Sequence, residues 1–99
     1  MWKATIEPLA QQDIRGAIAY YQANAPEVIP RFRETLRATI HIIREYPYMA
    51  AERHPNRRHR ATKVFPYHVW YALDKNTRVI HVLRVIHVRR DFDPLLIDR

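Results

Sequence analysis

The residues best suited to chemistry are cations and histidines that lie after residue 60. Cleavage of RNA through its own 2′-hydroxyl needs a general base, a general acid and cations that stabilise the charge developing on phosphorus. Lys63 and Arg84 are candidate cations, with Arg60 and Arg90 as possible additions. His87 is the candidate acid or base, because an imidazole has an ordinary pKa of about 6.5. The sequence therefore leaves open a nuclease whose catalytic set is Lys63, Arg84 and His87.

Other catalytic and metal-binding chemistries lack the residues they need. The chain has no cysteine and no serine, so it has no thiolate ligand, no disulfide and no serine nucleophile. His81 and His87 would lie roughly 20 Å apart along a strand, too far to share one zinc ion. A single glycine excludes a glycine-rich phosphate loop. We therefore expect no metal and no cofactor.

Positive charge is the strongest signal in the composition. Seventeen Lys and Arg residues against ten Asp and Glu give a formal net charge of +7. Residues 53–63, RHPNRRHRATK, hold five of these cations and no acid. Such a segment attracts polyanions or an acidic protein partner, although a solvated basic loop is the alternative. The predicted target-binding residues are Arg57, Arg58 and Arg60 together with the C-terminal segment 89–99, above all Arg89 and Arg90.

The elements that must position these residues follow from the spacing of apolar side chains. The predicted elements are a strand at 2–7, helices at 9–24 and 27–46, a strand at 60–65 and a hairpin at 67–88 with its turn at 74–77. Pro30 predicts a late or kinked start to the second helix. Residues 48–59 read as a loop. The order β-α-α-β-β-β predicts an α+β fold in which a helical hairpin packs on one face of a small, mostly antiparallel twisted sheet.

The segment 79–88 is predicted to lie inside the sheet rather than at its edge, because it is apolar on both faces. On a regular strand His81 and His87 share one face with Leu83 and Val85, whereas Arg84 and Ile86 occupy the other. The 99 residues are expected to form one domain. Since the chain shows neither a secretory signal nor a membrane span, we expect a cytoplasmic protein.

The order of residues from 13 to 91 resembles the toxins of the RelE/ParE superfamily, and within it the ParE-like branch. The pieces that carry the resemblance are Asp13-Ile14 with Ala17 and Tyr20-Tyr21, Arg31-Phe32 with Leu36, Ile40, Ile43 and Pro47, Phe65-Pro66-Tyr67, and Ile80, Val82-Leu83, Val85, His87 and Arg90-Asp91. The chain departs from the pattern at Asp91-Phe92-Asp93-Pro94, where ParE-like chains often have Asp-Pro directly after the arginine.

The resemblance implies the RelE/ParE-like fold and a toxin of a type II toxin–antitoxin module, associated with plasmid stabilisation and growth arrest. A ParE-like toxin would inhibit DNA gyrase by binding it, whereas a RelE-like toxin would be a ribosome-dependent mRNA endonuclease. A third alternative is a degenerate toxin that only binds its antitoxin. The resemblance also implies a hetero-oligomer with an acidic, partly disordered, ParD-like antitoxin. The predicted antitoxin contacts are Tyr20, Tyr21, Phe32 and Leu36. The alternative for Tyr21, Phe32 and Leu36 is that each is a core residue, whereas Tyr20 lies off the main apolar stripe.

Overall fold

A computed structural model describes residues 1–90 and residue 93, and it has two helices packed against a five-stranded sheet. The elements in chain order are β1 (Lys3–Ile6), α1 (Pro8–Asn24), a short 3₁₀ helix (Pro26–Val28), α2 (Ile29–Glu45), β2 (Glu52–His54), β3 (Arg57–Ala61), β4 (Tyr67–Asp74) and β5 (Val79–His87). Pro30 lies in the first turn of α2, so the predicted late start of this helix is confirmed. Neither α-helix in the described part of the chain has the length and apolar character that a membrane crossing requires.

The sheet has the strand order β1-β5-β4-β3-β2. Strand β5 pairs with β1 in parallel and with β4 antiparallel. The prediction of an interior strand at 79–88 and of a mostly antiparallel α+β sheet is therefore confirmed. The sequence reading missed β2, because its three residues are polar and show no apolar alternation.

A β-bulge in β5 corrects the predicted faces of this strand. Tyr71 pairs with Val82, whereas the preceding residue Trp70 pairs with Arg84, so Leu83 is an extra residue. A bulge of this kind reverses the facing of every later side chain. Val85 therefore joins the core beneath the helices, and Ile86 joins a second apolar cluster of Trp70, Ala72, Leu83 and Ile86. His81 and His87 consequently fall on opposite faces, paired with Ala72 and Tyr67, and not on the shared face expected from a regular strand.

The turn between β2 and β3 is tied to β4 by one side chain. Asn56 has a φ of 51°, a left-handed conformation that asparagine tolerates better than most residues. Its amide nitrogen donates to the carbonyl of Leu73 (3.1 Å), and its amide oxygen accepts from the N–H of Leu73 (2.9 Å). The side chain thus extends the β3–β4 ladder by one pair of hydrogen bonds. It fixes the register of the strand that carries Arg57 and Arg58.

Candidate functional site

A groove runs between α1 and the ends of β4 and β5, and the candidate catalytic residue His87 lies in its lining. Its volume is about 690 Å³. The lining residues are Gln12, Asp13, Gly16, Ala17, Tyr20, Tyr21, Pro66, Tyr67, Val85, His87 and Arg90. A Cβ added at Gly16 would meet nothing within 4 Å, so this stretch of α1 leaves the groove open. We call this depression the α1–β5 groove.

Tyrosines form one wall of the α1–β5 groove. Tyr20 and Tyr21 meet edge to face at 5.5 Å, and the Tyr67 ring lies 5.5 Å from the imidazole of His87. Burial, the neighbouring Tyr21 and a hydrogen bond with it raise the pKa of Tyr67 to about 12. The phenol of Tyr67 therefore stays protonated at neutral pH and can donate a hydrogen bond but cannot act as a base. The wall offers aromatic faces and hydroxyl groups to a bound molecule.

Asp13 and Arg84 form an ion pair at the edge of the α1–β5 groove. Arg84 donates from Nε and Nη2 to the two carboxylate oxygens at 2.7 and 2.9 Å. The same carboxylate accepts from the backbone N–H of Val85 at 2.9 Å. Hydrogen bonding to Asp13 raises the pKa of Arg84 further above its already high range. The guanidinium is thereby committed to α1, and its two donors toward Asp13 are not available to a phosphate group.

The other two members of the candidate nuclease set lie in different places. His87 lines the α1–β5 groove, whereas Lys63 lines a separate cleft between α2 and β3. The backbone N–H of Arg89 donates to His87 Nδ1 at 3.1 Å. This bond places the proton of the neutral imidazole on Nε2. In this tautomer neither ring nitrogen has a free lone pair with which to take a proton from a 2′-hydroxyl group. Of the candidate nuclease set, Arg84 is thus paired with Asp13, and Lys63 and His87 line different depressions.

Several of the predicted target-binding arginines are held by neighbouring groups. Arg58 donates to the carbonyl of Ala50, lies 3.7 Å from the Glu52 carboxylate and covers the ring of Tyr48. Arg57 donates to the carbonyl of Asn56 at 2.9 Å. The other predicted cations are half-buried or exposed: Arg60 lines the α2–β3 cleft, Arg90 lines the α1–β5 groove, and Arg89 is exposed. The part of the predicted segment beyond Arg90 lies outside the described residues, apart from Asp93.

The predicted antitoxin contacts divide into one exposed, one half-buried and two buried residues. Tyr20 is 61% exposed, and its ring rests against the half-buried Tyr21. Phe32 is 1% and Leu36 is 7% exposed, because this face of α2 packs on the sheet. These two are core residues of the described chain, and their contact with an antitoxin stays a prediction. Within the predicted set, the exposed side chain of Tyr20 is the one most accessible to a partner.

A histidine pair on the outer face of the sheet was missed by the sequence reading. His59 and His68 stack with ring centroids 4.3 Å apart, and Trp70 lies 4.5 Å from His59. Burial, His68 and Arg53 lower the pKa of His59 to about 4, and burial with Arg53 lowers that of His68. The β3–β4 register brings them together on adjacent strands, which no local spacing in the sequence indicates. Among residues 1–90 and 93, no three His, Asp or Glu side chains are placed to hold a metal ion.

Comparison with known proteins identifies relatives at the level of family and fold. Residues 5–92 match the family model described as "ParE toxin of type II toxin-antitoxin system, parDE". A structure of the chromosomal ParDE TA system from P. aeruginosa superposes with a TM-score of 0.76 at 15% identity, covering 90% of this chain and 98% of that one. The isolated E. coli RelE toxin superposes with a TM-score of 0.67 at 16% identity, covering 92% and 88%. No curated protein matches the sequence.

Proposed function

The chain belongs to the ParE toxin family of type II toxin–antitoxin systems, and on that premise we propose that it acts by binding DNA gyrase and is neutralised by a cognate antitoxin. In this proposal the toxin is cytoplasmic, forms a hetero-oligomer with the antitoxin and arrests growth when it is released. It uses no metal and no cofactor.

One observation carries the choice of binding over catalysis. The bidentate pair between Arg84 and Asp13 removes the central cation of the candidate nuclease set, and Lys63 and His87 line different depressions. Acid–base cleavage of RNA needs all its groups within hydrogen-bond reach of one phosphodiester. Binding has no such requirement, because cations spread over a surface still attract an acidic partner or a DNA-bound enzyme. The arrangement therefore supports a toxin that acts by docking.

The exposed cations Arg89 and Arg90, together with the half-buried Arg60, are the proposed gyrase-binding residues. Arg57 and Arg58 are the other predicted contacts, and their guanidinium groups donate to the carbonyls of Asn56 in the β2–β3 turn and of Ala50 before β2. We expect Arg89→Glu with Arg90→Glu to weaken gyrase inhibition by about tenfold or more, because charge reversal in an interface adds repulsion to the lost attraction.

A supercoiling assay with the host's own gyrase tests the proposal. The purified toxin should inhibit supercoiling or accumulate cleaved DNA complexes at stoichiometric ratios, and equimolar antitoxin should reverse the effect. The matched control is Arg15→Glu with Arg33→Glu, which changes the net charge equally on another surface. If stoichiometric excess of wild-type toxin leaves gyrase activity intact while the toxin still arrests growth, gyrase is not the target.

The second candidate function is an mRNA endonuclease, and the grouping of His87 with Arg90 and the tyrosines in one groove favours it. A nucleobase could stack on the tyrosine wall, and the Nε2–H of His87 could donate a hydrogen bond to a phosphate oxygen. This function predicts that His87→Ala abolishes growth arrest and leaves antitoxin binding unchanged. Growth arrest retained by His87→Ala would eliminate it. A wild-type chain that causes no growth defect without antitoxin would instead indicate a degenerate toxin.

A further inference from the structure

A cluster of aromatic and cationic side chains lies at the end of the sheet where β5 begins, and the candidate functions above draw on it only through Arg58. Trp2 and Tyr48 meet edge to face, with ring centroids 5.9 Å apart. Arg58 and Lys75 lie over the ring of Tyr48, at 5.3 and 5.9 Å from its centroid. Arg78 lies 5.8 Å from the centroid of Trp2. All three distances fall within the range of a cation–π contact. We call these five residues the Trp2–Tyr48 patch.

Four separate segments of the chain build the patch. They are the residue before β1, the loop after α2, the beginning of β3 and the turn between β4 and β5. Backbone hydrogen bonds join these segments: the N–H of Lys3 donates to the carbonyl of Arg78 at 3.2 Å, and the N–H of Trp2 donates to that of Arg44 at 3.3 Å. The patch is therefore held together by the end of the sheet, and a ligand does not have to order it.

One ring and two cations of the patch are open to solvent. Tyr48 is 50% exposed, and the side chains of Lys75 and Arg78 are exposed in the β4–β5 turn. The neighbours Tyr46 and Met49 are also more than half exposed. The loop after α2 thus presents three large apolar or aromatic side chains to water beside a cationic turn, which is a feature of binding surfaces.

Two carboxylates lie near the patch, and neither is paired with the exposed cations. Glu52 lies 3.7 Å from Arg58. Asp74 accepts two N–H groups of its own turn, at 3.1 and 3.3 Å. Among the residues that the structure describes, neither Lys75 nor Arg78 forms an ion pair or a side-chain hydrogen bond. The donors of these two cations are therefore available to an anion outside the chain.

An exposed aromatic ring beside unpaired cations has the chemistry of a site for single-stranded nucleic acid. A base stacks on the aromatic face, and Lys and Arg neutralise the neighbouring phosphates. Arg58 is fixed over the ring of Tyr48, because it also donates to the carbonyl of Ala50. The exposed Lys75 has no such anchor, so its ammonium can move to a phosphate while a base takes its place over the ring. An acidic peptide would satisfy the cations but would leave the aromatic ring unused.

From these features we propose that the Trp2–Tyr48 patch binds a single strand of DNA, with a base over Tyr48 and phosphates against Lys75 and Arg78. The inference rests on the proposed function, because gyrase supplies the DNA, and bases are unstacked where a protein bends or opens a duplex. Strand β5 is about 26 Å long from its first residue to its last. The toxin thus holds gyrase through the cations that follow β5 and holds the DNA through the patch at the other end of this strand.

Charge-reversed variants with a matched control test the inference. The patch variant is Lys75→Glu with Arg78→Glu, and the control is Arg15→Glu with Arg33→Glu, two residues that line a shallow depression between α1 and α2. All four side chains are exposed, so both variants are expected to fold, and thermal melting checks this. The probe is a fluorescent oligothymidylate of about 12 nucleotides, and anisotropy measures its binding. Kd should rise about tenfold or more in the patch variant and less than about threefold in the control.

A second pair of variants tests stacking without a change of charge. Tyr48→Leu removes the ring and should raise Kd about fivefold or more, whereas Tyr48→Phe keeps the ring and should bind as the wild type does. The inference is overturned if Tyr48→Leu binds DNA as tightly as the wild type, or if the patch variant is no weaker than the control.

Two competitors separate DNA from the other ligands that the patch could attract. An RNA strand of the same length that binds more tightly than the DNA would assign the patch to RNA and overturn the inference. An oligoglutamate peptide that competes as well as the DNA would show recognition of charge alone, with the same consequence. None of these results affects gyrase inhibition, which the supercoiling assay measures separately. Binding of DNA through Tyr48 by a toxin that leaves gyrase active would remove the proposed function and leave the DNA site.

Discussion

The carboxylate of Asp13 accepts a backbone hydrogen bond from β5 beyond the point where β1 pairs with that strand. Strand β1 pairs with β5 only as far as Val82, and Glu7 then donates its N–H to the carbonyl of Val82. The next N–H on this side of β5 belongs to Val85, and the carboxylate of Asp13 accepts it. The same carboxylate holds Arg84 at the bulge. One residue of α1 therefore satisfies an edge N–H and neutralises a half-buried cation.

Removal of this carboxylate should destabilise the fold strongly. The side chains of Asp13 and Arg84 are only 11% and 20% exposed, so Asp13→Ala should lower the free energy of unfolding by about 2–4 kcal/mol. Asp13→Asn keeps one acceptor and should cost about half as much. The comparison is Glu45→Ala, which breaks the exposed His41–Glu45 pair on α2 and should cost at most about 0.5 kcal/mol. Urea denaturation measures all three, and equal losses for Asp13→Ala and Glu45→Ala would contradict the role given to Asp13.

The His59–His68 pair makes stability depend on pH in the acidic range. His59 Nε2 accepts from Arg53 Nε at 3.1 Å, and its Nδ1 is buried without a hydrogen-bond partner in the described part of the chain. A proton on this ring would break the first bond and add charge beside Arg53 and His68. The folded chain therefore keeps His59 neutral down to a pKa of about 4, against an ordinary value of 6.5.

Stability should consequently fall as the pH drops from about 6.5 to about 4. In this window unfolded imidazoles bind protons that the folded His59 does not, so acid favours the unfolded chain. Because the ring is half-exposed and solvent weakens the effect, we expect His59 to contribute about 1–2 kcal/mol. His59→Gln preserves an acceptor for Arg53 and should flatten the pH dependence, whereas His41→Gln on the surface of α2 should not. Parallel pH profiles for wild type and His59→Gln would show that His59 does not contribute.

At the scale of elements, the connection from β3 to β4 contains a strained turn. The N–H of Phe65 donates to the carbonyl of Lys63 at 2.7 Å, which closes a three-residue turn around Val64. Val64 has a φ of 71°, a conformation that β-branched residues rarely adopt. Its side chain is 76% exposed, so no buried contact repays the strain. The turn holds Lys63 at the rim of the α2–β3 cleft.

Relief of this strain should stabilise the protein. Val64→Gly removes a cost of about 1–3 kcal/mol and adds about 0.5–1 kcal/mol of backbone entropy to the unfolded chain, so we expect a net gain of about 1 kcal/mol. The matched change is Val88→Gly, also at an exposed valine but without a positive φ, which should destabilise by about 0.5–1 kcal/mol. Chemical denaturation compares them. A loss of stability in Val64→Gly as large as in Val88→Gly would mean that the turn is not strained.

The elements show which parts of the structure the sequence could predict. Long periodic segments such as α1 and the two-faced β5 follow from their own side chains. The bulge at Leu83 does not, because it depends on pairing with Trp70, and it reversed the predicted faces after that point. Strand β2 is too short and polar to be seen in the pattern.

The candidate site was predictable only in its residue types. The sequence indicated that cations and histidines are the candidate catalytic residues. Whether the side chains of Lys63, Arg84 and His87 lie close together depends on the tertiary packing of the helices and strands around each of them. Asp13 gave a signal as a part of the family resemblance, yet nothing local linked it to Arg84, 71 residues later. The spacing of Phe32 and Leu36 fits both a core face and a contact surface, and the packing of α2 on the sheet places both side chains in the core.

At the scale of the whole molecule, an excess of seven positive charges is distributed over a body of 41 × 28 × 21 Å. The Debye length at physiological ionic strength is about 8 Å. The charges near one face therefore act on an approaching acidic partner together, whereas those on the far side are largely screened. The net charge should govern the association rate of the partner, and the local contacts in the complex should govern its dissociation rate.

This division predicts two distinct effects of salt and mutation on the rates of antitoxin association. The association rate should fall about tenfold or more between 50 and 500 mM NaCl, while the dissociation rate changes little, because screening acts on the encounter. Two charge-reversed pairs, Arg31→Glu with Lys63→Glu and Arg15→Glu with Arg33→Glu, lower the formal charge from +7 to +3, so both should slow association. Because the two pairs remove the same charge from different surfaces, equal slowing by both would show that net charge sets the association rate. Stopped-flow mixing and dilution measure the two rates, and an association rate that both variants leave unchanged would show that net charge does not govern the encounter.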